Sequence, residues 1–218
     1  MKVGTDGVLL GAWANCNNSL RALDAGSGTG LIAIMLAQRS KAHIHALEID
    51  ALAAQEAKLN VSNSQWSNQI TVEQVAFQDF AKSTQLKFDL IVSNPPYFVN
   101  SLKSPKANRS LARHTDSLSF LDLLAGVEQC LSLDGLFAVV LPHSAGSEFV
   151  EMALNYRLFC VRRTNVKPKP EKPPKRVLLE FSFEEKPLQI SSFAVETNVR
   201  HAYTSAYKEL TKDFYLAF

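Results

Sequence analysis

Four consecutive residues, Asn94-Pro95-Pro96-Tyr97, carry a set of groups suited to holding a planar NH2 group. Two successive prolines fix the backbone and remove two N–H donors. The carbonyls of Asn94 and Pro95 are thereby aimed outward in a fixed geometry, and Asn94 adds a side-chain carbonyl. Tyr97 offers a flat face for stacking a base. An amine on an aromatic ring, such as adenine N6, is a poor nucleophile because its lone pair is delocalised into the ring. Two acceptors on its hydrogens favour a more pyramidal nitrogen and stabilise positive charge as an electrophile arrives. Such chemistry needs positioning and preorganised dipoles, without a strong base. The plain alternative is a rigid proline turn.

A second constellation is Asp24-Ala25-Gly26-Ser27-Gly28-Thr29-Gly30. Glycines at 26, 28 and 30 let the backbone turn tightly and approach a ligand closely. A glycine-rich turn of this kind is shared by dehydrogenases and other nucleotide binders. Glu48 follows 22 residues after Gly26. A carboxylate at about that distance accepts from two neighbouring ribose hydroxyls. Asp50 competes for the role, and Glu48 is preferred as the nearer to a strand end. Asp79 and Phe80 come after a third apolar run, where a carboxylate accepts from an adenine amine and an aromatic ring packs on the base. Either acid also reads as an ordinary solvated side chain.

These residues need elements to position them. Strands are expected over 20–25, 42–49, 70–77, 88–93, 136–141, 158–166 and 177–183. Helices are expected over 31–39, 51–61, 118–131 and 147–156, the third capped by Ser117 and ended by Asp134-Gly135. Leu90-Ile91-Val92 has no polar alternation, which suits a strand covered on both faces. Strand alternating with helix predicts a mostly parallel sheet with helices on both sides. The last two strands have only a short, proline-rich connection and pair antiparallel. The tail from 190 to 218 gives no clear period, although Phe214, Tyr215, Leu216 and Phe218 make its end apolar enough to dock. The glycine turn, Glu48 and Asp79 all fall at carboxyl ends of strands, where open parallel sheets bind nucleotides.

The 218 residues are 46% apolar and 20% charged, enough to bury a sizeable core, which excludes disorder of the whole chain. Cys16, Cys130 and Cys160 are widely spaced with no CxxC pair, so neither a zinc site nor a disulfide framework is expected. The start lacks a secretory apolar region, and no run approaches the roughly 18 apolar residues of a membrane span, so a soluble, cytoplasmic protein is expected.

The net charge is only +2, so the distribution of positive charge matters more than its sum. The segment 162–176 reads RRTNVKPKPEKPPKR, with Arg162, Arg163, Lys167, Lys169, Lys172, Lys175 and Arg176 against one acid, Glu171. Prolines hold such a segment extended, which suits a strip along a phosphate backbone, or else a solvated connection. Lys103, Lys106, Arg109, Arg113 and His114 form a second group in a long loop. Loops of that length in a compact domain are often functional. His114 taken alone reads more simply as a surface or packing histidine.

Asn94-Pro95-Pro96-Tyr97 together with the glycine turn resembles the class I amino-methyltransferases. The opening Met1-Lys2-Val3-Gly4-Thr5-Asp6-Gly7-Val8-Leu9-Leu10-Gly11-Ala12-Trp13 is similar to that of the bacterial tRNA1(Val) adenine-37 N6-methyltransferases. Leu111-Ala112-Arg113-His114, Arg176-Val177-Leu178-Leu179-Glu180-Phe181 and Leu210-Thr211-Lys212-Asp213-Phe214-Tyr215-Leu216 are similar as well, so the resemblance covers essentially the whole chain. It implies an α/β fold with a Rossmann-like, doubly wound, seven-stranded sheet, mostly parallel with an antiparallel late strand, as one domain over 1–218. It further implies S-adenosylmethionine as cofactor, tRNA as substrate, Asn94 to Tyr97 as the catalytic motif, and cofactor contacts from Asp24, Gly26, Gly28, Gly30, Glu48, Asp50, Asp79, Phe80, Asn94, Thr5 and Asp6. It implies no obligate protein partner. Family members usually carry a further segment ahead of Lys2, where this chain starts, and loss of a segment that closes over the cofactor would weaken binding. Rival readings are a protein-glutamine N5-methyltransferase acting on a release factor, a DNA or rRNA amino-methyltransferase, a non-catalytic nucleic-acid module and a nicotinamide dehydrogenase.

Overall fold

The computed structural model describes residues 4–96, 118–199 and 202–216. Its centre is an eight-stranded sheet. The strands are β1 (Arg21–Ala25), β2 (His43–Glu48), β3 (Ile70–Gln74), β4 (Phe88–Ser93), β5 (Leu131–Pro142), β6 (Phe159–Lys167), β7 (Arg176–Ser182) and β8 (Gln189–Ala194). They lie in the order β3-β2-β1-β4-β5-β7-β6-β8. The first five run parallel. β7 is antiparallel to both β5 and β6. β8 pairs parallel to β6. The expected sheet of seven strands gains this eighth one. Its residues are mostly exposed, so no buried face stamped an alternation on the sequence.

Successive residues of the central strands face opposite sides. Leu90, Val92, Ala138 and Val140 join one apolar cluster, while Ile91, Phe137 and Val139 join the other, with Phe88 also on the second side because the register shifts between Phe88 and Leu90. Burial on both faces explains the continuous apolar runs. Helices α1 (Thr5–Trp13), α2 (Leu31–Arg39), α3 (Ala51–Ser62) and α7 (Ser205–Thr211) cover the first face. Helices α4 (Phe77–Ser83), α5 (Phe120–Cys130) and α6 (Gly146–Leu154) cover the second.

Several local expectations are corrected. Residues 5–13 form α1, which no period announces, because every residue from Gly7 to Trp13 is buried. Gly7 and Gly11 let it approach α2 closely: a Cβ on Gly11 would stand 2.7 Å from Met35 Sδ. β3 ends at Gln74, level with Glu48 at the end of β2, and the chain turns into α4 instead of continuing as strand to 77. Ser119, not Ser117, caps α5, its hydroxyl accepting from Asp122 N at 3.1 Å. Ser117 lies outside the described residues. Gly135 ends no helix. It lies inside β5 at a register irregularity, where a Cβ would meet the Phe88 carbonyl oxygen at 2.9 Å.

Candidate active site

The strand order reverses between β1 and β4, and the crevice at their carboxyl ends is where open α/β sheets hold ligands. The glycine turn leaves β1 there and Asn94 leaves β4. Their roots are level: Ala25 is the register partner of Ser93, whose buried hydroxyl donates to Ala25 O at 2.8 Å. Gly26, Gly28 and Gly30 have φ of 77°, 56° and 82°, the left-handed region that favours glycine. At Gly26 the space a Cβ would occupy is open, so the backbone angle, not crowding, requires the glycine. The turn is tied down by Gly26 N and Ser27 N, which donate to Leu47 O at 3.0 and 2.9 Å.

A cleft of about 430 Å³ opens above these ends. Its walls are Gly4 and Gly7 of α1, the turn Gly26 to Thr29, Glu48 and Ile49, the stretch Val75 to Gln78, and Asn94, Pro96 and Leu118. That volume falls in the range of small-molecule sites, roughly 300–1,000 Å³.

Glu48 accepts from Gly28 N at 2.8 Å through Oε2 and from Asp50 N at 2.9 Å through Oε1. Each oxygen keeps a further lone pair for a ligand hydroxyl. Asp50 is spent elsewhere: it caps α3, with Oδ1 accepting from Ala53 N at 2.8 Å, and does not line the cleft. Glu48→Ala is therefore expected to weaken binding of an adenosyl ligand roughly ten- to hundred-fold, the worth of hydrogen bonds to a charged acceptor. Asp50→Ala should leave that affinity near normal and cost about 1 kcal/mol of helix stability. Isothermal titration giving the reverse order would move the ribose contact to Asp50.

Asp24 is fully buried beneath the turn rather than in the cleft wall. Its Oδ2 accepts from Ala33 N at 3.1 Å, and Oδ1 has no partner among the described residues. Burial raises its pKa to about 7, against the lowering effect of the Ala33 N–H, with the charge of Glu48 raising it further. The folded chain thus keeps a proton that an unfolded carboxyl of pKa 3.8 has already released. This contribution to stability is full below pH ~4, declines as pH rises towards ~7, and is absent above. Asp24→Asn imitates the protonated form and keeps an acceptor for Ala33 N. It should remove that decline and raise stability at pH 8 by up to about 4 kcal/mol. Urea unfolding from pH 4 to 8 checks this; parallel curves for parent and variant would refute it.

Other anticipated residues fall elsewhere. Asp79 lies in the first turn of α4 with its side chain 69% exposed, 3.7 Å from Lys82 Nζ. Phe80 packs inward beside His45 and Phe88. Because α4 starts at Phe77, the stretch Val75 to Gln78 takes the wall position assigned to these two. Thr5 and Asp6 do not line the cleft, while their neighbours Gly4 and Gly7 do. Asp6 pairs with Arg176 at 2.8 Å. Tyr97, Lys103, Lys106, Arg109, Arg113 and His114 lie outside the described residues.

The basic segment 162–176 divides. Arg162 faces inward: it stacks 3.7 Å over the Trp13 ring, donates to both oxygens of Glu180 at 3.0 and 2.6 Å, and donates to Trp13 O. Its Nε and Nη2 are committed to Glu180 and Trp13, and its side chain is 27% exposed. Arg163 Nε donates to Asn165 Oδ1 at 3.2 Å. The connection after β6 is a hairpin, not an extended strip, since Lys172 N donates to Lys169 O at 3.1 Å with Pro170 in the turn. β6 runs the same way as the parallel strands, so this hairpin stands at the same end of the sheet as the cleft. Lys172 and Lys175 are exposed at its tip and return arm.

The parallel sheet with its glycine turn, acidic β2 end and Asn94-Pro95-Pro96 is the architecture of a class I methyltransferase. The family model "Methyltransferase small domain" matches residues 7–150. A tRNA1(Val) (adenine(37)-N6)-methyltransferase of Bacteroides fragilis is 48% identical, the match covering 99% of this chain and 91% of that protein. A like-named protein of Trichodesmium erythraeum is 46% identical over 100% of this chain and 92% of its own length. The chain belongs to the methyltransferase small domain family and, within it, groups with the relatives that carry this name. In fold it is similar to a predicted O-methyltransferase of Agrobacterium tumefaciens, with TM-score 0.76 and 18% identity, covering 95% of this chain and 96% of that one.

Proposed function

We propose that this protein transfers a methyl group from S-adenosylmethionine to the exocyclic N6 of adenine 37 in tRNA1(Val), in the cytoplasm. The supporting observation is the adjacency of Asn94-Pro95-Pro96 and the glycine turn on two register-matched strand ends. The cleft residues fit the donor: Glu48 offers two carboxylate oxygens to a ribose, Gly26 leaves open space at the backbone, and Val75 to Phe77 present an apolar wall to a base. When bound, the donor supplies an electrophilic methyl on a sulfonium centre.

The chain's part is positioning. The carbonyls at Asn94 and Pro95 accept the two N6 hydrogens, hold the amine in one orientation and stabilise its developing positive charge. On transfer the nitrogen's lone pair would form the new N–C bond as the sulfonium C–S bond breaks, its electron pair staying on the sulfur of the departing S-adenosylhomocysteine, and one N6 proton would pass to solvent. Base-edge recognition of this kind favours an unstacked nucleotide, and an anticodon-loop base is easier to extrude than one inside a duplex. The described residues contain no helix long and apolar enough to cross a membrane.

Purified protein with labelled donor should methylate tRNA1(Val) transcript and leave an A37G transcript unlabelled. Nucleoside mass spectrometry should identify the product as N6-methyladenosine. Equal labelling of both transcripts would refute the position, and labelling of a glutamine in a release factor instead would refute the substrate class.

A further inference from the structure

Helix α1 forms one wall of the cleft through Gly4 and Gly7, and its two ends are secured very differently. The carboxyl end is locked. Arg39 donates to Gly11 O and Ala14 O at 2.7 and 2.9 Å, Trp13 Nε1 donates to Thr164 Oγ1 at 3.0 Å, and Arg162 stacks on the Trp13 ring. The amino end begins at Gly4 with no side-chain cap. There Asp6, between the two wall glycines, accepts from Arg176 Nε at 2.8 Å. The same guanidinium donates through Nη1 at 3.1 Å to the carbonyl of its neighbour Lys175, which also accepts from His143 N, while Lys175 N closes the base of the basic hairpin on Val166 O at 2.9 Å. One side chain therefore touches both the cleft helix and the hairpin.

We propose that Arg176 and Asp6 are positioning residues that couple RNA binding at the hairpin to cofactor binding in the cleft. The inference rests on the reading of the hairpin as an RNA contact. A phosphate backbone seated on Lys169, Lys172 and Lys175 restrains the hairpin, the restraint fixes Arg176, and Arg176 fixes the first turn of α1 where Gly4 and Gly7 meet the ligand. By linkage the effect is reciprocal: cofactor in the cleft tightens RNA on the hairpin by the same factor. Rigidity of the Trp13 end makes the amino end the part of α1 whose position the pair decides.

The test uses S-adenosylhomocysteine as probe, so that no turnover occurs, titrated by calorimetry with and without saturating tRNA1(Val). The parent protein should bind it about five-fold or more tightly with tRNA present, the lower end of typical couplings. Asp6→Asn and Arg176→Gln should each remove most of that difference, and the double variant should lose no more than either single one. Asp6→Glu, which keeps the charge, should restore part of it. Thermal midpoints close to the parent's would separate the effect from general destabilisation. A parent that methylates tRNA but binds the probe equally in both conditions overturns this inference and leaves the proposed function standing. Full coupling in both single variants also overturns it. A parent that neither binds nor methylates tRNA overturns both.

Discussion

Asn94→Ala should lower the rate of methyl transfer roughly 100- to 1000-fold, the usual loss when one preorganised polar group is taken from a reacting centre. Binding of the donor should change little. The argument is geometric. Asn94 is the first residue beyond β4, and Ser93 before it is pinned by its hydroxyl to Ala25 O, which holds the strand end from which the motif leaves. Pro95 behind it is buried, and its ring keeps the turn rigid whatever residue precedes it. The substitution thus removes an acceptor from the cleft wall and leaves the turn in place. Single-turnover rates with excess enzyme isolate the chemical step, and calorimetry reports donor affinity separately. Loss in the chemical step with affinity retained is the expected pattern. Near-normal turnover would overturn the two-acceptor mechanism, and equal loss of rate and affinity would show that Asn94 serves the donor rather than the amine.

The parts of this site that are legible in the sequence are those whose backbone demands are special. Glycines at 26, 28 and 30 answer to positive φ, and consecutive prolines stiffen the backbone where the chain leaves β4. The parallel core is legible because β1, β4 and β5 are buried on both faces. What is not legible follows from two physical causes. Burial on all sides erases periodicity, so α1, which supplies Gly4 and Gly7 to the cleft, looks like an undirected apolar run. Partners distant in sequence also disguise charge: Arg162 reads as part of a basic strip, yet its main contacts, the Glu180 carboxylate and the Trp13 carbonyl, are 18 and 149 residues away. That Val75 to Gln78, rather than Asp79 and Phe80, line the cleft has a smaller cause. β3 ends at Gln74, Val75 N still reaches the end of β2 by donating to Glu48 O at 3.0 Å, and α4 begins at Phe77, the last residue of the apolar run that reads as strand.

Replacing Lys167, Lys169, Lys172 and Lys175 together by glutamine should weaken tRNA binding, flatten its salt dependence and leave donor affinity in the absence of RNA unchanged. The hairpin lies at the cleft end of the sheet, but its lysines are not among the cleft-lining residues. Lys167 is the weakest member of the set, since its Nζ is directed at Pro170 O at 3.5 Å, whereas Lys172 and Lys175 are exposed. Every lysine that neutralises a phosphate releases counterion on binding. Its loss lowers the slope of log affinity against log salt by about 0.9 on a duplex or 0.7 on a single strand. Four contacts would shift the slope by roughly three, and three contacts by a little over two. The hairpin is a compact turn rather than an extended strip, so these charges meet the RNA over a short arc, such as one side of a stem, instead of tracking a long strand. Filter binding across a series of salt concentrations reads the slope directly. An unchanged slope with unchanged affinity would show the hairpin to be a solvated connection between β6 and β7, and would move the phosphate contacts to the segment that contains Lys103, Arg109 and Arg113.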